Sequence, residues 1–435
     1  MEDHLESLEK VRQHFDAAPF PRIPLEQSPK GDLKYLYNHD LVVAYYQRHQ
    51  RVIDPANTVI LDAGCGTGYK ALILAEANPG AKIVGIDLSD PSVQLARTRL
   101  HYHGFANAEF HTLTLEELPN LGQQFDYINC DEVLYLLPDP VQGLQAMRAV
   151  LKPNGILRVN MHHRLQRTLV HQAQEFFQRV QIAGHADPET EIAAVRTVMN
   201  ALHDSVLLKA RLWDASDNTN DEQVLANYLL VGDKSITIPE LFAMLRRADL
   251  EFISMVNDWQ WNLASLFQTL PTDLAETLAQ QSIEDRLQLY ALLNPIHRLL
   301  DVWCGHPGQS QPFTPVAEWT ADQWQRAIVH LYPQLRVPAF REAMVEAIAS
   351  SSFFEISRYL QKTPEPLYLD SVLTACLLPL IDAPRSLGAI AQHWRELRPL
   401  NPISLQPIPP EAALAQVQIP LLDLHQRGYI LLEQP

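Results

Sequence analysis

The chain has 435 residues, with 51 acidic side chains against 34 Lys and Arg and a net charge of −17. That length holds two or three domains, and the acidic balance leaves no global basic surface to meet phosphate backbones. Nucleic acid is thereby disfavoured as the main partner, with only a local basic pocket left open.

The four cysteines, Cys65, Cys130, Cys304 and Cys376, are scattered and form no C-x-x-C pair. This usage suits reduced thiols in a cytoplasmic protein better than a disulfide framework or a zinc site, so no metal is expected. The first six residues, Met1 to Glu6, are acidic and lack the apolar core of a signal peptide. The most apolar stretch, Leu373 to Ile381, is too short to span a bilayer. A cytoplasmic protein without a membrane partner is the expectation.

Residues 1–57 form an N-terminal extension. Leu5, Leu8, Val11 and Phe15 share one face of a predicted helix over Leu5–Phe15. The segment Pro19 to Pro24 must be extended, because its prolines fix φ and remove donors. A second predicted helix, Leu33–Arg51, carries Tyr35, Tyr37, His39, Tyr45 and Tyr46. These aromatics either cover a ligand or simply pack helices, the commoner use.

From residue 58 the pattern alternates between strand and helix. Thr58 to Leu61 is a short apolar run that enters Asp62 and then Gly64, Gly66 and Gly68. Glycines there allow a tight turn and a close ligand approach. An Ala/Leu-rich helix from Tyr69 stops at Asn78-Pro79-Gly80. The next strand, Lys82–Asp87, ends in an acid about twenty residues past the glycines, the place of a ribose-binding acid. Ser89 or Asp90 caps the following helix, and strands follow at Ala108–Thr112, Phe125–Cys130 and Ile156–Asn160. Such alternation predicts an α/β fold with a doubly wound, Rossmann-like sheet.

Two helical stripes then interrupt the alternation within residues 161–236: Leu165, Leu169, Ala173, Phe176 and Val180, and then Ile192, Val195, Met199 and Leu202. An insertion after strand five sits over the carboxyl ends of the strands and reads as a helical lid over the substrate. The sheet resumes with a helix from Ile238 and a strand over Leu250–Met255, closing a domain at residues 58–256. Residues 257–310 read as a helical connector that ends in the linker Gly305 to Pro312. Residues 311–435 read as a mostly helical C-terminal domain closed by a strand at Gly428–Glu433. That layout is similar to a winged-helix module, but its 9 Lys and Arg against 12 Asp and Glu favour protein contacts or a homodimer over DNA. Truncation after Gly308 should then leave the first domain intact.

The glycines read G-x-G-x-G, with Tyr69 where a dinucleotide fold has its last glycine. This disfavours a nicotinamide or nucleotide-sugar enzyme. With Asp62 in front, the motif resembles the first motif of the class I S-adenosylmethionine (SAM)-dependent methyltransferases. Phe125-Asp126 leading to Leu137-Pro138-Asp139-Pro140, and Leu151-Lys152-Pro153-x-Gly155, are similar to that family's fourth-strand region and its turn into strand five. The resemblance covers residues 58–160 and a piece near 237–256. It implies SAM as cofactor, with Asp62, Gly64, Cys65, Gly66 and Gly68 at the methionine end, Asp87 on the ribose hydroxyls and Leu88 beside the adenine. Thr114, followed by Leu115, stands where many members carry an acid for the adenine amino group. Asp131 is a candidate for the SAM amino group. The overall layout also loosely resembles bacterial methyltransferases with a regulatory domain, some of which modify protein lysines.

Methyl transfer from a sulfonium needs chiefly positioning, plus a base when the acceptor is a hydroxyl or an ammonium. The Asn-Pro-Pro-Tyr tetrapeptide of many exocyclic-amine methylases is absent; Cys130-Asp131-Glu132-Val133 stands there instead. Sheet topology puts Tyr135 just past strand four and His162 and His163 just past strand five, all at the ligand edge. His162 and Tyr135 are the catalytic candidates, with His163 pointing elsewhere; solvated or capping roles are the alternative. The expected activity is transfer of a methyl to an O or N acceptor, on a small molecule or a protein. The alternatives are a protein lysine methyltransferase and a SAM-binding interaction protein without catalysis.

Overall fold

A computed structural model describes residues 9, 11–13, 15–16, 19–184, 187–230, 232–310, 312–360 and 366–435. The helix expected over Leu5–Phe15 lies mostly outside the described residues. The next expected helix is broken into α1 (Leu33–Tyr37) and α2 (Leu41–His49). The break comes from two aspartates: Asp32 and Asp40 each accept a hydrogen bond from a backbone N–H of the turn that follows and so start a new helix.

The central sheet is built from β1 (Val59–Ala63), β2 (Lys82–Asp87), β3 (Glu109–Thr112), β4 (Phe125–Cys130), β5 (Leu151–His163), β6 (Ser235–Ile236), β7 (Glu251–Met255) and β8 (Leu299–Gly305). Its order is β3-β2-β1-β4-β5-β8-β7, with β6 added beside the end of β5. β3 to β6 join through parallel pairings, while β8 runs antiparallel to both β5 and β7. Helices α3 (Tyr69–Ala77), α4 (Asp90–Tyr102) and α5 (Pro140–Val150) make the crossovers. Ser89 caps α4 through its side chain.

β8 corrects the expected helical connector over residues 257–310. Residues 283–293 are helical, but Leu299–Gly305 crosses the middle of the sheet, and the sheet runs to residue 305 instead of ending at 256. Leu300, Val302 and Cys304 bury one face of this strand, and Trp303 is fully buried on the other. Asp301 is tolerated there because Arg158 on β5 holds it with two hydrogen bonds, of 3.0 and 2.6 Å. β5 is also longer than expected, so His162 and His163 are its last two residues instead of lying past it.

The insertion begins with α6 (Arg164–Arg179) and α7 (Pro188–Ala201) and has its own small core around Phe177, Val195, Met199 and Tyr228. It ends at β6 and is followed by α8 (Ile238–Arg247). One sheet face packs Leu61, Ile128, Leu157 and Met161 against α5 and α8.

The other face joins a core that continues into the C-terminal region. There β9 (Ile328–Leu331), in a stretch expected to be helical, is the middle strand of an antiparallel sheet between β12 (Arg385–Ser386) and β13 (Ile430–Glu433). A short hairpin of β10 (Phe354–Glu355) and β11 (Tyr368–Leu369) lies between them in sequence. Tyr46 of α2 bonds through its hydroxyl to both Leu432 O and Leu432 N, and to His425 Nε2. The Tyr37 and Tyr332 rings lie 5.0 Å apart. The C-terminal region is therefore packed into the N-terminal helices and does not hang from the Gly305 to Pro312 linker. Among the described residues, no helix is long and apolar enough to cross a membrane.

Candidate active site

The glycine turn follows β1 at the point where the strand order reverses between β1 and β4, the place where open α/β sheets bind ligands. Gly64 N and Cys65 N both donate to Ile86 O, which ties the turn to β2. Gly66 N donates to Asp87 Oδ2 and Ser89 N to Asp87 Oδ1, at 2.9 Å each. Burial raises the Asp87 carboxyl, and these N–H groups oppose the shift. Gly66 has φ +49°, and a Cβ there would run into the Phe20 carbonyl oxygen. The proline segment lies directly on this turn. Thr67 donates to Phe20 O and Pro21 O, while Arg99 of α4 clamps Ile23 O, Pro24 O and Thr67 O.

Asp62 is fully buried at the end of β1. Its Oδ1 accepts from Asn129, but Oδ2 has no partner in the protein. Burial, with Asp131 and Asp87 nearby, pushes its carboxyl up to about 7. A buried carboxylate with an unused oxygen suits a cationic ligand group. The acids and the turn therefore fit SAM, with Asp62 available to an ammonium and Asp87 to ribose hydroxyls.

Three of the expected cofactor contacts, Asp131, Thr114 and Leu115, have partners within the protein. Asp131 is committed inside the protein: Lys70 Nζ lies 2.5 Å from Oδ2, Asn160 donates to Oδ1, and His39 and Arg158 stand 3.7 and 3.8 Å away. Burial alone would raise this carboxyl, but the Lys70 and Arg158 cations hold it well below the usual carboxylate range. Asp131 thus anchors a buried network, whereas Asp62 keeps an oxygen for the ligand. Thr114 starts a 3-10 turn over Leu115–Leu121, with its N–H and hydroxyl both given to Glu117 Oε2. Leu115 is buried in the core under α5. Leu88 is half-buried beside Asp87, and Cys65 is buried against β2.

The carboxyl edges of β4 and β5 bring together a second group. The Tyr135 ring stacks on the His162 ring, with centroids 4.0 Å apart at 18°. His162 Nδ1 is 2.5 Å from Asp233 Oδ1, and Arg298 Nη1 is 3.2 Å from Nε2. Burial lowers the His162 pKa; Asp233 opposes the shift, while Arg167 and Arg298 add to it, so the ring stays below its ordinary value. Burial would raise Asp233, but His162 and Arg167 bring it down to about 2. Arg298 also grips Glu132, whose φ of +62° is left-handed for a residue with a side chain. Burial and then the Glu132 carboxylate raise the Tyr135 pKa, so its hydroxyl stays protonated.

His163 points to the opposite sheet face, buried near Trp261 and bonded to His297 O. The alternation along β5 is what separates the two histidines. Asp233, Arg167, Arg298 and Glu132 were missed by sequence reasoning. Asp233 and Arg298 lie 71 and 136 residues from His162, and no local pattern marks them.

A glycine cradle at the sheet's switch point, an acid on β2 and a buried acid with a spare oxygen define a SAM-binding Rossmann-like domain. Residues 54–222 match the Methyltransferase domain family. An uncharacterised Synechococcus protein is 30% identical over 285 residues, covering 65% of this chain and 67% of that one. A ubiquinone biosynthesis O-methyltransferase of Histophilus somni is 33% identical over 134 residues, or 30% of this chain, and the match spans only 55% of that enzyme. In three dimensions the chain is similar to PKMT2 from Rickettsia typhi, with a TM-score of 0.62 and 18% identity, over 95% of this chain and 78% of that one. The chain belongs to the class I SAM-dependent methyltransferase family, and its cofactor is SAM.

Proposed function

We propose that the protein transfers a methyl group from SAM to a hydroxyl or amine of a small-molecule or protein acceptor, with His162 as base and Tyr135 beside it. The observation that carries this reading is the Tyr135–His162 stack at the edges of β4 and β5, next to the acid-lined glycine turn. SAM supplies a methyl carbon on a sulfonium whose thioether departs without needing a proton. Asp87 orients the ribose end and Asp62 the ammonium, so reacting atoms are held close and the gain is chiefly one of proximity. His162, kept neutral by burial, takes the acceptor's proton at Nε2 once Arg298, already bonded to Glu132, gives up its contact with that nitrogen. The Tyr135 ring fixes the imidazole plane.

The test is calorimetry with S-adenosylhomocysteine, followed by turnover of methyl-labelled SAM on fractionated small-molecule and protein extracts. Tight binding with no labelled product in any fraction would instead support a SAM-binding protein without catalysis. The partner reading rests on the C-terminal region, where exposed Ile403, Leu405 and Ile419 support a homodimer. Light scattering would show a dimer's mass, and a monomer at high concentration would refute it.

A further inference from the structure

We infer that Asp233 is a positioning residue for the proposed methyl transfer, locking the His162 ring in the tautomer whose Nε2 lone pair faces the acceptor edge. The inference rests on the reading of His162 as base and adds what makes that base usable. Asp233 ends the helical insertion two residues before Ser235, which pairs with His162 in parallel register along β5. Its side chain is only 1% exposed, and both oxygens are used. Oδ1 meets His162 Nδ1 at 2.5 Å; Oδ2 accepts from Arg167 at 2.8 and 3.2 Å and from Gln174 at 3.4 Å.

An ionised carboxylate can only accept hydrogen bonds, so the shared proton sits on Nδ1. At the other end of the ring Arg298 Nη1 lies 3.2 Å from Nε2. A guanidinium can only donate, so Nε2 is the lone-pair nitrogen. Two independent contacts, from segments on either side of β5, thus agree on one tautomer.

The surroundings explain why the lock holds. Tyr135, stacked on the ring, opposes a flip that would exchange the nitrogens. Arg167, fully buried on α6, balances the Asp233 charge, so the carboxylate need not take a proton or pass a full charge to the imidazole. Glu132 completes the set of groups around the ring and holds Arg298, whose side chain is 43% exposed. The Nε2 edge therefore faces the partly exposed Arg298 and the Nδ1 edge the buried Asp233. The insertion supplies Arg167 and Asp233 and so belongs to the chemistry.

The experiment is long-range proton–nitrogen NMR of the full chain labelled with ¹⁵N-histidine, the His162 signals being assigned by their loss in His162→Gln. Wild type should show neutral imidazole protonated at Nδ1 at pH 7. Asp233→Asn should populate the Nε2–H form and, with the acceptor found by the extract screen, lower kcat about 10²-fold with KM held within about twofold. Asp233→Glu should keep the wild-type tautomer. A wild-type His162 carrying its proton on Nε2, or doubly protonated at pH 7, overturns the inference without any variant. A folded Asp233→Asn with an unchanged tautomer overturns it too, since a merely structural aspartate would move the melting temperature and not the ring. Should Asp233→Asn not fold, the wild-type and Asp233→Glu spectra decide. Binding of S-adenosylhomocysteine, which tests the methyltransferase reading, is expected to be the same in all three proteins. Its absence in wild type would sink that reading while the tautomer result stood.

Discussion

Lowering the pH from 8 to 6 should weaken S-adenosylhomocysteine binding about tenfold, because the Asp62 carboxyl must ionise to hold the ligand's ammonium. Burial pushes that carboxyl up to about 7 in the free protein, and one oxygen has no partner. Roughly one molecule in eleven is then ionised at pH 6 and ten in eleven at pH 8, a ratio worth about 1.4 kcal/mol. The sign follows from the ligand: a cation favours the charged carboxylate, so binding at pH 7 should release about half a proton. His39, lowered to about 4 by burial and Arg158, stays neutral throughout and does not contribute. Because the folded-state pKa lies above the ordinary carboxylate value, the stability that Asp62 contributes is present at low pH and lost as pH rises through 7. The ligand should therefore raise the melting temperature more at pH 8 than at pH 6. Calorimetry in buffers of different ionisation enthalpy reads both the affinity and the proton. A flat affinity from pH 6 to 8 with no buffer-dependent heat, or an Asp62→Asn variant that keeps the wild-type profile, would refute the assignment.

Asp87→Ala should weaken binding of the same ligand by about 1–3 kcal/mol, the scale for losing a charged hydrogen-bond partner; equal affinity by calorimetry would move the ribose site elsewhere. A fragment ending at Gly308 should be insoluble or lack a cooperative urea transition. Uncovering Tyr37, Val42 and Tyr46 costs about 1.5–3 kcal/mol each, together comparable with the total stability of a domain, about 5–15 kcal/mol. A folded, ligand-binding fragment would show the shared core to be separable. His162→Ala should lower single-turnover rates at saturating SAM by about 10²-fold. His163→Ala should instead leave the rate alone and cost about 2 kcal/mol or more in stability, since it empties a buried site; equal rate losses in the two variants would mean that position along β5 does not distinguish them.

The glycine turn and its contact with Asp87 were legible because their parts are contiguous in the chain. A strand, three glycines, a helix and a strand ending in an acid span Val59 to Asp87, and local backbone chemistry is enough to bring Gly66 N onto Asp87. The two faces of β5 were legible for the same reason, since alternation is a property of any strand. The carboxylates were not. Asp62, Asp87 and Asp131 look alike as acids at strand ends, yet Asp131 is claimed by Lys70 and Asn160 while Asp62 keeps a spare oxygen. That difference depends on Arg158, His39 and Lys70 arriving from three other segments of the chain.

β8 was hidden because a buried strand carrying Asp301 reads as polar-interrupted helix until Arg158 on its neighbour is seen to satisfy it. The packing of the C-terminal region was not legible, because the Gly/Pro composition of a linker says nothing about what packs beyond it. Only the folded chain puts the Tyr46 hydroxyl on Leu432, 386 residues away. The sequence by itself determined the cradle, its cofactor and the order of the parallel strands, all short-range patterns of apolar runs and turns. The tertiary structure decided which acid is spare, which groups meet each nitrogen of His162 and where the sheet ends, because each of these depends on contacts between residues far apart in the chain.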